Sequence, residues 1–202
     1  MYAIYLTHPQ IRMEPDKPVP KWSVSALGRS RAVKAAALPW ASSLRRIVSS
    51  DETKALETAE ILAGASGVSL QTLQGSGEND RSATGFLLPE AFEAAADRFF
   101  ADPEQSFMGW ERAVDAQARI VAAVTGVLEI HDPALPIAFI GHGGVGTLLK
   151  CHLMGKPISR TQDQPAGGGN LFAFGLADRA LACDWTPMED WQGWELWQGW
   201  QQ

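Results

Sequence analysis

The chain is poor in cysteine, in positive charge and in long apolar runs. Cys151 and Cys183 are its two cysteines in 202 residues. Neither sits in a Cys-x-x-Cys pair or near a histidine at ligand spacing, which argues against zinc, and no cluster of ligating side chains points to another metal. So few thiols fit a reducing compartment, and a cytoplasmic location is expected. Lys and Arg number 17 against 23 Asp and Glu, a formal net charge of -6. That balance lacks the basic footprint of a nucleic-acid binder, although net charge says little about a single pocket. No stretch approaches the roughly 20 apolar residues of a membrane helix. The start, Met1 to Leu6, has no charged leader and no long apolar core, and reads as a strand. Neither a nucleic acid nor a membrane is expected as a partner.

Hydrophobic residues make up 46% of the chain. That is ordinary for a globular protein, and the length is enough to bury a core without staples. A single domain over 1–185 is expected, followed by a Trp-rich tail over 186–202. Periodicity gives alternating strands and helices. The strands are expected at Tyr2 to Thr7, Arg46 to Ser50, Val68 to Leu73 and Ile137 to Ile140, with a terminal hairpin over Asn170 to Leu176 and Ala180 to Cys183. The helices are expected at Ala26 to Leu38 (capped by Ser25), Thr53 to Ala63 (capped by Asp51 and closed by Gly64 and Gly67), Pro89 to Phe100, Gly109 to Ile130 and after Gly144 to about Met154. Pro15, Pro18 and Pro20 make the segment before Lys21 a loop. Such an order implies an α/β fold, a three-layer α/β/α sandwich with a mainly parallel central sheet.

In open parallel sheets, ligands bind beyond the carboxyl ends of the strands. Three such ends carry polar or special residues: Thr7-His8-Pro9, Ser49 to Lys54, and Gly141-His142-Gly143-Gly144. One histidine after a strand is commonly structural. Two, each closing a sheet strand, point to a shared site.

These stretches resemble the histidine phosphatase superfamily, the phosphoglycerate mutase-like family. Tyr5-Leu6-Thr7-His8-Pro9 stands where that family has a strand ending in Arg-His-Gly. Val24 to Ala32 looks like its Leu-Thr-x-x-Gly-x-x-Gln-Ala helix start. Ser49 to Glu60 follows its Ser-Ser-Pro-x-x-Arg-Ala-x-Gln-Thr-Ala-Glu. Ile140 to Val145 matches its Ser-His-Gly-Gly strand end. Each motif is weak alone, but the four in order cover most of the chain to about Gly155. The resemblance implies a phosphoric monoester hydrolase that needs no metal or cofactor. In it His8 is the nucleophile, passing through a phosphohistidine, and His142 steadies the phosphoryl oxygens. A carboxylic acid in Gly77 to Ser82 protonates the leaving group. Glu78 and Asp80 are both candidates, and Glu78 is favoured by its distance to Gly85. Gly143, Lys54 and Thr7 are expected to bind the phosphoryl group. A phosphatase is expected over a mutase, because the chain has little spare length for lid segments. The substrate is expected to be a small phosphorylated metabolite or a phosphohistidine protein.

Departures from the pattern matter. Thr7 replaces an arginine that would clamp phosphate with two parallel N–H bonds. Pro9 removes a backbone donor, and Lys54 is a point charge in place of a fork. Each charge-assisted hydrogen bond lost costs roughly 1.5–3 kcal/mol. Arg12 and Arg81 are the expected compensators, and Arg29 is expected to be solvated. The contrasting expectation is a phosphatase-like binding or regulatory module whose catalysis is impaired.

Two features remain outside the family reading. Gly141 to Gly146 also fits the dinucleotide fingerprint G-x-G-x-x-G, with Asp163 near the distance of its acidic partner, but Lys156 to Gln164 makes a poor buried strand. Trp191, Trp194, Trp197 and Trp200 recur every three residues. That period suits an extended or 3₁₀ tail docked on the domain or on a second subunit of a homodimer.

Overall fold

The structure, a computed structural model, describes residues 1–193. The strands are β1 (Tyr2–Thr7), β2 (Arg46–Ser49), β3 (Leu70–Thr72), β4 (Ile137–Gly141), β5 (Asn170–Gly175) and β6 (Leu181–Pro187). The helices are α1 (Ala26–Ala36), α2 (Pro39–Ser43), α3 (Thr53–Ser66), α4 (Pro89–Ala101), α5 (Ala113–Glu129) and α6 (Gly143–Leu153). The strands form one sheet in the order β3-β2-β4-β1-β5-β6. The four strands β3, β2, β4 and β1 are parallel, and β5 and β6 return antiparallel at one side. The fold is therefore the expected α/β sandwich with a mostly parallel sheet.

Alternation along the strands sorts the core into two layers. Tyr5, Ile137, Phe139, Phe172 and Phe174 face α5 and α6, where Ile120, Leu148 and Leu149 are buried. Ile4, Leu6, Ala138, Ile140 and Leu171 face α1, α2 and α3, against Ala35, Trp40, Ala59 and Leu62. β1 is buried along its whole length, as a strand covered on both faces must be.

Local expectations hold in part. Ser25 caps α1 by accepting from the Gly28 N–H at 3.1 Å. Asp51 caps nothing. Glu52 is the N-cap of α3, and its carboxylate is drawn elsewhere. Gly64 lies inside α3, which ends at Gly67 with φ 69, a conformation that favours glycine. α2 has no counterpart in the expected elements: Pro39 starts it after the turn that ends α1. Gly109 has φ 79, so α5 begins only at Ala113, beyond it.

The boundary drawn after residue 185 falls inside β6, which runs to Pro187. Beyond it, Met188 and Trp191 are buried in the core. The Trp191 ring lies 5.6 Å from those of both Tyr2 and Trp40. The first of the repeated tryptophans thus packs on the domain, while Trp194, Trp197 and Trp200 lie outside the described residues. Among the described residues no helix is long and apolar enough to cross a membrane. Replacing a buried Trp by Ala costs about 3–5 kcal/mol. Trp191→Ala should therefore lower unfolding stability by about 3 kcal/mol in urea titrations. A loss within error would show that the packing of Trp191 does not stabilise the domain.

Candidate active site

β1 and β4 are neighbours, and Thr7 pairs with Gly141. The next residue on each strand is a histidine, so the parallel register brings His8 and His142 to the same edge. Their ring centroids are 5.3 Å apart. Backbone bonds fix the strand end: the His8 N–H donates to Gly141 O at 2.9 Å, and His8 O accepts from the Gly169 N–H at 2.9 Å. Gly168, at φ 63, would place a Cβ 2.4 Å from His8 O, so only glycine permits this approach. Arg31 of α1 holds that loop by donating to Gly168 O and Gly169 O while pairing with Glu189.

His8 Nδ1 lies 2.9 Å from Pro9 O. A carbonyl only accepts, so Nδ1 carries the proton and Nε2 keeps its lone pair. Burial, followed by the nearby His142 and Lys54, pushes His8 down to about 3. The ring is therefore neutral near pH 7, with Nε2 unprotonated.

His142 is fully buried. Its backbone N–H donates to the Tyr5 hydroxyl at 3.1 Å, and that hydroxyl donates back to His142 O at 3.2 Å. Nε2 lies 2.8 Å from Ser50 Oγ and 3.4 Å from Glu52 Oε1. A lone pair against a carboxylate would be repelled, so Nε2 carries the proton. Nδ1 is buried and has no partner among the described residues. Burial lowers the pKa of this imidazole, against the opposing pull of Glu52 and Glu78.

Glu52 occupies the centre of the site. Its carboxylate pairs with Lys54 Nζ and accepts the Glu78 N–H at 2.9 Å. Burial opposes its charge, but His142, Lys54 and the Glu78 N–H outweigh it and hold the acid at about 2. Lys54 is itself buried and also donates to Val19 O at 3.1 Å. The sequence reading missed Glu52, which stands at a variable position of the motif. The one signal was an acid two residues before a lysine at a strand end.

Glu78 is in the site, but as an anchor. Its oxygens accept N–H bonds from Gly144 and Val145, each at 3.0 Å, and from Asn79 at 3.1 Å. A carboxylate there satisfies the first turn of α6 and complements the helix dipole. Arg119 of α5 pins the same loop through Gly75 O, Gly77 O and Glu78 O. Asp80 accepts from the Ser82 N–H at 2.9 Å, a bond that keeps its pKa low, on an exposed wall.

Thr7 does not reach a ligand position. Its fully buried hydroxyl donates to Gln164 Oε1 at 2.7 Å and accepts from the Asn170 N–H at 3.1 Å. Gln164, which the sequence reading also missed, lies between Thr7 and Gly143. Its Nε2 sits 2.5 Å from where a Cβ on Gly143 would be, so a side chain at Gly143 would displace this amide. Arg12 turns outward to Glu14 and joins no site, because its chain is bridged away through Ile11 and Val24. Arg81 does come in: it stacks 4.8 Å over Phe92 and lines a cleft of about 380 Å³ with Pro18, Val19, Glu52, Glu78 and Asp80.

The dinucleotide reading fails on two counts. Two of the first N–H groups of α6 are taken by Glu78. Lys156 to Gln164 forms no strand, only a 3₁₀ turn at Arg160–Gln162, and Asp163 is bonded to Thr147. Among the described residues no group of acidic, His and Cys side chains could hold a metal.

The family model for the histidine phosphatase superfamily (branch 1) matches residues 20–196. The chain belongs to the histidine phosphatase superfamily. The match starts after His8, so the position of that histidine in this superfamily member rests on the strand pairing above. Solved structures agree on the fold. A mycobacterial glucosyl-3-phosphoglycerate phosphatase is similar with a TM-score of 0.75 and 22% identity over 92% of this chain and 98% of its own. YhfR of Bacillus stearothermophilus gives 0.72 and 19% over 89% and 93%. A putative α-ribazole-5'-P phosphatase of Escherichia coli gives 0.68 and 16% over 93% and 97%. No curated protein matches the sequence.

Two measurements test this histidine phosphatase site. Breaking a buried ion pair by removing one partner costs about 3–5 kcal/mol. Lys54→Met should therefore destabilise the fold by that order, and Lys54→Met with Glu52→Gln should recover much of it. Second, His8 binds a proton in the unfolded chain at pH 6.5 but in the folded protein only near pH 3. Its contribution makes stability rise with pH across that window. Stability at pH 4 relative to pH 7 should fall less in His8→Ala; an equal fall would show that His8 is not held neutral.

Proposed function

We propose that the protein is a phosphoric monoester hydrolase that works through a phosphohistidine at His8. The observation that carries this reading is the Nδ1–H bond from His8 to Pro9 O, 2.9 Å long, which presents the Nε2 lone pair at the edge shared with His142. His8 attacks phosphorus, the ester bond breaks, and the phosphoryl group rests on Nε2 until water displaces it. His142 stands beside the transferring group with Nδ1 as an unpaired acceptor, and the Gln164 amide supplies a neutral donor where the resemblance implies an arginine. The glucosyl-3-phosphoglycerate phosphatase among the structural neighbours supports a small phosphorylated metabolite as substrate. A phosphohistidine protein is the other substrate class this chemistry accepts. The apolar walls at Pro18, Val19 and Pro20 suit a leaving group with carbon surface.

One observation favours a second reading, a phosphatase-like binding module: Lys54, the cation at the site's centre, is already paired with Glu52. Turnover decides between them. The purified protein should hydrolyse a generic aryl phosphate slowly, and His8→Ala and His142→Ala should each abolish this. Mass spectrometry of acid-labile adducts should find a transient phosphate on His8. Absence of turnover above background across many phosphate esters would leave the module reading.

A further inference from the structure

The phosphoryl position of this site carries its own anion. Glu52 lies against Lys54 and within 3.4 Å of His142 Nε2, and it lines the cleft. Gln164 brings no charge, Glu52 offsets Lys54, and burial disfavours the charged form of both histidines. The central pocket therefore has little positive charge to offer a dianion. The other charged groups facing the cleft are Arg81, Glu78 and Asp80. Arg81 is the single cation among them.

Resting on the phosphatase reading, we propose that Glu52 makes the site selective for a phosphoryl group that carries one proton, the monoanion of a phosphomonoester. A dianion placed beside His8 meets a buried carboxylate with nothing to donate to it. A monoanion brings half the charge and one P–OH, which Glu52 accepts as a hydrogen bond. The proton then serves the reaction. His8 Nε2 bonds to phosphorus, the P–O ester bond breaks, and the electron pair goes to the leaving oxygen. That oxygen takes the P–OH proton, relayed by Glu52. In the second step water bonds to phosphorus, the P–N bond breaks, and the pair returns to His8 Nε2. One water proton passes through Glu52 and leaves on phosphate as its monoanion. Glu52 thus replaces a fixed general acid, which agrees with Glu78 being engaged as an acceptor by three backbone N–H groups.

The test is the pH profile of kcat/KM with two phosphomonoesters whose second ionisations differ. For the wild type, kcat/KM should fall by about tenfold per pH unit above the substrate's second pKa, near 6 for a typical phosphate ester, and the break should move with the substrate. Glu52→Gln should lose that limb and gain about tenfold over the wild type two pH units above the break. A wild-type profile that is flat there, or a limb that Glu52→Gln keeps, would overturn the proposal while His8-dependent turnover stands. Calorimetric binding of inorganic phosphate to the wild type needs no variant to fold. Affinity should fall as the second proton leaves phosphate, and tighter binding of the dianion would overturn the selection. If His8-dependent turnover is absent at every pH, the phosphatase reading fails, and the binding titration alone decides whether Glu52 selects the monoanion.

Discussion

The parallel pairing of β1 with β4 is the constraint on which the site depends. Thr7 opposite Gly141 puts two successor residues side by side without any help from loops. Chain order makes this possible: β4 inserts between β1 and β2, so a residue near the start and another near position 142 share one sheet edge. Burial of both strands on both faces then leaves almost no freedom for the backbone that carries the histidines. The hydroxyl of Tyr5, bonded to both backbone groups of His142, removes what remains. Geometry of this kind is held by the core, and the loops need only supply charge and shape.

Charge is where this member of the superfamily parts from the pattern. Thr7 and Lys54 stand where the resemblance implies arginines, and each has a neighbour bonded to it. Thr7 is small enough to leave room, and Gln164 fills that room with a neutral amide. Lys54 is compact, and Glu52 reaches it from two residues away. A buried ion pair of this sort contributes little net stability but is costly to break. The result is a pocket that keeps hydrogen-bond donors and gives up positive charge.

Much of this was legible in the sequence. The alternation of buried strands and amphipathic helices gives the sandwich, and histidines following two apolar runs give the site's edge. Glu78 was legible as a site residue because an acid stood in the right loop. Its bonding was not, since nothing local says that Gly144 and Val145 of a distant helix will claim it. Gln164 and Glu52 were opaque for the same reason: they acquire meaning from Thr7, 157 positions away, and His142, 90 positions away. Arg12 misled because sequence distance from His8 is short, while the Ile11 to Val24 bridge turns that segment outward. The docking of Trp191 follows from the groove between Tyr2 and Trp40, which composition does not reveal.

The bonds from Glu78 tie its loop to the first turn of α6. The wall of the cleft and the helix that begins at His142 are one piece, braced again by Arg119. Asn79 belongs to the same piece, since its N–H also donates to the Glu78 carboxylate. Neither piece can shift without straining the bonds that Glu78 makes to the other.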